Sequence, residues 1–175
     1  MKSSRSNELY LPDIDFPEYL ELSSDHAVAI ASADLVILAV PIVALRSTLK
    51  QLALSKRSFG VLWVCKGFEA GTSKLPHQVA AEVLLERFPS GVLSGPSFAQ
   101  EVARGLPTAL TLASSDENFT RDTAQALHHA RLRIYSSTDV IGVEVGGAVK
   151  NVMAIASGIC DGMGLGHNAR AALLT

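Results

Sequence analysis

Lys150 is the residue around which chemistry could be organised. It is the only charged side chain between Glu144 and Asp161, in a run rich in glycine, alanine and small apolar residues (Gly146-Gly147-Ala148-Val149-Lys150-Asn151-Val152-Met153-Ala154-Ile155-Ala156-Ser157-Gly158). Helical spacing puts Lys150, Ala154, Ser157 and Asp161 on one line. Val149, Val152, Met153, Ala156 and Cys160 form an adjoining apolar face, so the ammonium is expected close to core. An unpaired buried ammonium is costly and needs a partner or a cleft. In a cleft it could exchange protons with a ligand. The other reading is a snorkelling lysine with its stem on apolar surface and its head in water. The spacing leaves both open.

Three further places could hold a ligand. Apolar runs end at Val40-Pro41, at Cys65-Lys66-Gly67 and at Ser94-Gly95-Pro96-Ser97. In open α/β sheets ligands bind beyond the carboxyl ends of the strands. A lysine and a Gly/Ser turn at neighbouring strand ends could hold a phosphate or a carboxylate. Lys66 could equally be a solvated edge lysine, and Gly95-Pro96 an ordinary turn.

Other candidates carry less. Gly162-Met163-Gly164-Leu165-Gly166 has the wrong spacing for a dinucleotide loop and follows a helix. His128 and His129 are adjacent and diverge on a helix, so no metal site is expected. Ser94 and Ser97 lack the Gly-x-Ser-x-Gly setting of a hydrolase nucleophile. Cys65 and Cys160 form no CxxC pattern, and reduced thiols in a cytoplasmic protein are expected.

These residues need a scaffold. Continuous apolar runs at 34–40, 59–65 and 91–94, with further strands at 108–113 and 131–136, suit a sheet buried on both faces. Helices are expected at 26–33, 42–54, 75–88, 98–103 and 116–130, and residues 1–24 read as an irregular lead-in. The alternation predicts an α/β fold with a largely parallel sheet. Beyond Asp139 only helical spacing remains, which places a domain boundary near Thr138. The 175 residues are 48% hydrophobic and 18% charged, enough for a buried core, and the net charge of −2 with no basic run argues against nucleic acid. No signal peptide is evident, and the apolar stretch 27–45 is interrupted by Asp34 and Pro41, so no membrane span is expected.

The block Gly147 to Asn168 (GAVKNVMAIASGICDGMGLGHN), continuing to Leu173, resembles the signature of the bacterial NAD(P)-dependent glycerol-3-phosphate dehydrogenases. Cys65-Lys66-Gly67-Phe68-Glu69, Ser94 to Glu101 (SGPSFAQE) and Asn7 to Pro12 resemble three further blocks of that family, in order along nearly the whole chain. The resemblance implies an incomplete Rossmann-type parallel sheet over residues 1–138, followed by the start of an all-α second domain over 139–175. It implies interconversion of dihydroxyacetone phosphate and sn-glycerol 3-phosphate with NADPH or NADH, feeding phospholipid synthesis in the cytoplasm, and allows a homodimer in the full-length form. Lys150 resembles the general acid/base. Lys66 resembles a substrate ligand that also borders the cofactor. Gly95 and Ser97 match substrate positions, Ala99 a cofactor position, and Asn151 a neighbour that orients substrate. Pro41, at the first strand end, is placed with the cofactor. Asn168 and Arg170 match the signature without a role in the chemistry.

The resemblance also implies departures. Met1 falls after the family's first strand and its GxGxxG turn, and Thr175 falls before later positions that complete the site. The 175-residue form is therefore expected to be inactive alone, with exposed apolar surface. Two rival readings stand beside this one: another hydroxy-acid dehydrogenase, against which the Lys150 block argues, and a truncated non-catalytic interaction or regulatory module.

Overall fold

A computed structural model describes Met1 and residues 4–175. The five expected strands form one sheet: β3 (Leu35–Leu38), β4 (Gly60–Trp63), β5 (Ser90–Ser94), β6 (Thr108–Ala113) and β7 (Leu132–Ser137). They lie side by side in that order. β3, β4 and β5 run parallel, β6 turns antiparallel to β5, and β7 runs parallel to β6. The helices between them are α1 (His26–Ile30), α2 (Ile42–Ala53), α3 (Pro76–Leu84), α4 (Ala99–Ala103) and α5 (Glu117–Leu127). Two more, α6 (Val140–Gly162) and α7 (Gly166–Leu174), close the chain.

Side chains alternate across the sheet, so each face has its own core. Val61 and Trp63 of β4 pack with Leu45, Leu49 and Leu52 of α2 and with Val79 and Leu84 of α3. Leu62, between them in sequence, packs on the other face with Leu93, Leu110, Leu112 and Ile134. Every residue of β4 is buried, as a central strand covered on both faces requires.

Three local expectations are corrected. The lead-in is not wholly irregular: β1 (Ser6–Asn7) pairs antiparallel with β2 (Leu11–Asp15). Arg5 braces the segment by donating from Nη1 to the Leu20 carbonyl at 2.9 Å. Pairing this short leaves no periodic trace in the sequence. The helix expected over 75–88 ends at Leu84, because Leu85 takes φ 52° and a 3-10 turn, Leu85–Arg87, follows. Finally, the face of α6 expected near core is largely open. Val149 is 41% and Val152 65% exposed, Met153, Ala156 and Cys160 are half-buried, Lys150 is exposed, and Glu144 is the only buried residue of the helix. α6 packs against β5 and β6, and Val140 and Val143 near its start pack against the core.

Among the described residues α6 is also the one helix long and apolar enough to cross a membrane, with a mean hydropathy of 1.4. Length and apolarity alone do not distinguish a span from a helix made to be covered by protein, and its buried Glu144 is bonded to the sheet domain.

Gly91 lies where β5 and β6 run closest. A Cβ there would sit 2.6 Å from the Ala113 carbonyl oxygen and 3.1 Å from Ser114 Cβ. Backbone cannot yield as a side-chain tip can, so Gly91→Ala should destabilise the sheet by about 1–3 kcal/mol. Thermal denaturation checks this: the midpoint should fall by several degrees, and an unchanged midpoint would show that the strands part without cost.

Candidate active site

β4 and β5 end side by side, and the chain leaves each through a turn that carries polar groups. Lys66 follows β4, and its Nζ donates to the Gly95 carbonyl at 3.3 Å, joining the two turns. Gly95 takes φ +147°, and a Cβ on it would meet Leu110 Cδ2 at 2.9 Å and the Ala109 carbonyl at 3.0 Å. A side chain is thus excluded twice, by conformation and by space.

α6 crosses this end of the sheet. Gly147 lets it come close: a Cβ there would lie 3.1 Å from Ser94 Oγ and 3.4 Å from Lys66 Cγ. One turn on, Lys150 reaches back over the turn after β5, with its Nζ 4.9 Å from the centre of the Phe98 ring. That is a cation–π contact, which holds the ammonium without neutralising it. Between helix and strand ends lies a cleft of about 280 Å³ whose lining includes Lys66, Ser94, Gly95, Thr111, Gly147 and Lys150.

Two ammonium groups face this space, and among the described residues no carboxylate lines it. Lys66 is held below the ordinary lysine value, first by desolvation and then by the charge of Lys150. Like charges brought together without a counter-charge favour an anionic ligand, which relieves their repulsion. A lysine whose charged form is disfavoured also gains most when that anion arrives.

The structure thus brings together Lys66, Gly95 and Lys150, three of the residues singled out by sequence. Ser97, Ala99 and Asn151 are exposed and lie outside the lining of this cleft. Pro41 stands apart from it too, at the N-cap of α2 beyond β3. Its neighbour Ile42 approaches Gly67, the residue after Lys66, so the first two strand ends are adjacent. Thr111 and Phe98 were not singled out. Thr111 had a faint signal as a polar residue between Leu110 and Leu112 of a buried strand. Phe98 had none beyond lying in the turn.

Two supports stand behind the lysines. Glu69, three residues after Lys66, accepts from Arg46 Nε at 2.6 Å and Nη2 at 2.8 Å, and from Thr72 Oγ1 at 2.6 Å. Arg46 also pairs with Glu82 at 2.8 Å, and Glu82 contacts Lys74. This network closes the loop that begins at Lys66 onto α2 and α3. On α6 the support is Glu144. Its Oε1 accepts from Trp63 Nε1 at 2.8 Å and from the His77 backbone N–H at 2.9 Å, and its Oε2 lies 2.6 Å from His77 Nδ1. Burial, and then the charge of Glu144, push the nearby Cys65 thiol up to about 11. Cys65 therefore stays protonated and is no nucleophile.

Comparison with known proteins identifies the family. Residues 1–120 match the family model for the NAD-dependent glycerol-3-phosphate dehydrogenase N-terminus, and residues 139–175 match that for the C-terminus. The chain belongs to the NAD-dependent glycerol-3-phosphate dehydrogenase family. Glycerol-3-phosphate dehydrogenase [NAD(P)+] of Dechloromonas aromatica is 55% identical over the whole chain, and that of Thiobacillus denitrificans 57%. The chain spans about half the length of these curated relatives, 53% in each case. The crystal structure of glycerol-3-phosphate dehydrogenase from Coxiella burnetii superposes with a TM-score of 0.87 at 41% identity, covering 99% of this chain and 53% of that one. A Rossmann-type sheet domain followed by a helical segment is therefore this family's architecture.

The Glu69 network gives the loop an acid limit. Hydrogen bonds from Arg46, then from Thr72, hold the Glu69 carboxyl at about 2. A carboxylate whose folded value lies below its unfolded value of about 4.3 stabilises the fold fully above that pH. The contribution is lost as pH falls toward 2. Thermal midpoints measured from pH 5 to pH 2 should therefore fall more steeply for the wild type than for Glu69→Gln. Parallel curves would show that this carboxylate does not couple to folding.

Proposed function

We propose that this chain supplies the two-lysine part of an oxidoreductase site that interconverts dihydroxyacetone phosphate and sn-glycerol 3-phosphate with NADPH or NADH. The observation that carries this reading is the pair Lys66 and Lys150, facing one small cleft with Gly95 between them and no acid in its lining. It favours a small anionic substrate over the interaction-module reading. We divide the chain near Thr138, with a partial NAD(P)-binding Rossmann-type domain before it and the start of an α-helical substrate domain after it.

The nicotinamide cofactor supplies a hydride to the ketone carbon when bound. Pro41, Lys66 and Ala99 stand beyond the carboxyl ends of β3, β4 and β5, the side on which doubly wound sheets hold dinucleotides. Lys66 and the Gly95 turn would fix the substrate, and Ser97 and Asn151, exposed and outside the cleft lining, are assigned to substrate binding. The Lys150 ammonium, at the edge of the cleft, would face the oxygen that becomes negative as the ketone is reduced. It stabilises that charge and delivers one proton, leaving a neutral alcohol and a neutral amine. In the reverse direction the amine takes the hydroxyl proton as hydride leaves. The product would feed glycerophospholipid synthesis in the cytoplasm, where the free thiols Cys65 and Cys160 stay reduced.

Lys150→Ala in the full-length enzyme tests the assignment. Turnover should fall by about 10²–10⁴-fold, the range for loss of a positioned proton donor. NADPH binding, followed by cofactor fluorescence, should persist. Unchanged turnover would remove Lys150 from the chemistry.

A further inference from the structure

We propose that Glu144 is a positioning residue for this site: its buried carboxylate fixes the rotation and height of α6, and so places Lys150 opposite Lys66. The inference rests on reading those two lysines as one site.

The carboxylate is deeply buried, with 4% of Glu144 exposed. Such a group persists only if its acceptor capacity is used. Glu144 uses it on two different elements of the sheet domain, the last residue of β4 and the first turn of α3. Trp63 is itself only 2% exposed, and its indole N–H needs an acceptor. α3 needs one as well. Its N-cap is Leu75, whose side chain cannot accept a hydrogen bond, and its first residue is Pro76. The next N–H, that of His77, is satisfied by Glu144, 67 residues away. A carboxylate at a helix N-terminus is also favoured by the helix dipole. One side chain therefore caps α3, satisfies the indole and anchors α6.

The geometric consequence falls on Lys150. Six residues separate it from Glu144, which is about 9 Å along a rigid helix. A slip of one residue would rotate Lys150 by about 100° and withdraw it from the cleft. On the cleft side Gly147 offers space rather than a bond, since a Cβ on it would press on Ser94 Oγ and Lys66 Cγ. The Glu144 bonds are what select one rotation among those the glycines allow.

The test needs neither substrate nor cofactor, so it stands apart from failure of the substrate assignment. The 175-residue chain, its Glu144→Leu and Glu144→Gln variants, and the double variant Trp63→Phe/His77→Ala are treated with a short bifunctional amine reagent. The Lys66–Lys150 cross-link is then quantified by mass spectrometry and normalised to the folded fraction read from far-ultraviolet circular dichroism. Glu144→Leu should lose the cross-link several-fold, and Glu144→Gln, which keeps an acceptor for Trp63 and His77, should retain most of it. In untreated samples of the same variants the Lys66 side-chain NMR titration should move up in Glu144→Leu as Lys150 departs, a change that mere loss of stability does not produce. Wild-type cross-linking and an unmoved Lys66 in folded Glu144→Leu would overturn the proposal. If Glu144→Leu does not fold, the double variant Trp63→Phe/His77→Ala, which leaves Glu144 only the His77 backbone N–H, decides: reduced cross-linking supports the role, and wild-type yield overturns it.

Discussion

A single buried carboxylate sets the relation between the two parts of this chain. Glu144 enters the sheet domain from α6 and bonds to Trp63 across 81 residues of sequence and to His77 across 67. Apolar packing holds each face of the sheet, but it is non-directional and tolerates sliding. The Glu144 bonds do not. They fix where the helix crosses the ends of β4 and β5, and Gly147 then allows the approach that forms the cleft. Beyond that crossing α6 carries valine and isoleucine into the open, so its order depends on the anchored end.

Given that crossing, the electrostatics follow. Lys66 arrives from the sheet and Lys150 from the helix, one steadied by its bond to Gly95, the other by Phe98. Neither contact supplies negative charge. The acids nearby are committed elsewhere, Glu69 and Glu82 to Arg46 and Glu144 to Trp63 and His77. The polypeptide thus keeps its counter-charges behind the site and leaves two cations at its mouth, which suits a phosphate-bearing substrate that gains a further negative oxygen during reduction.

Much of this was legible in the amino-acid order, for identifiable reasons. The runs at 34–40 and 59–65 read as strands because a sheet covered on both faces needs no alternation. Lys66, Gly95 and Lys150 could be picked out because strand ends and a solitary charge are local features. Contacts across long separations were not legible. Nothing near Leu75 shows that its helix is capped from α6, and nothing near Phe98 shows that an ammonium rests on it. The apolar stripe of α6 showed which face wants cover but not whether these residues cover it, so Lys150 was expected nearer to core than it lies. The pairing of β1 with β2 was too short to leave any period.

The central claim is that Lys66 and Lys150 act together on one anion. Its most direct test is a titration of the 175-residue chain with inorganic phosphate, following the side-chain NMR signals of all its lysines. The account predicts that Lys66 and Lys150 shift together along one saturation curve, and that Gly147→Val, which pushes α6 off Ser94 and Lys66, abolishes both shifts. Phosphate that moves only one of the two, or moves other lysines equally, would contradict it.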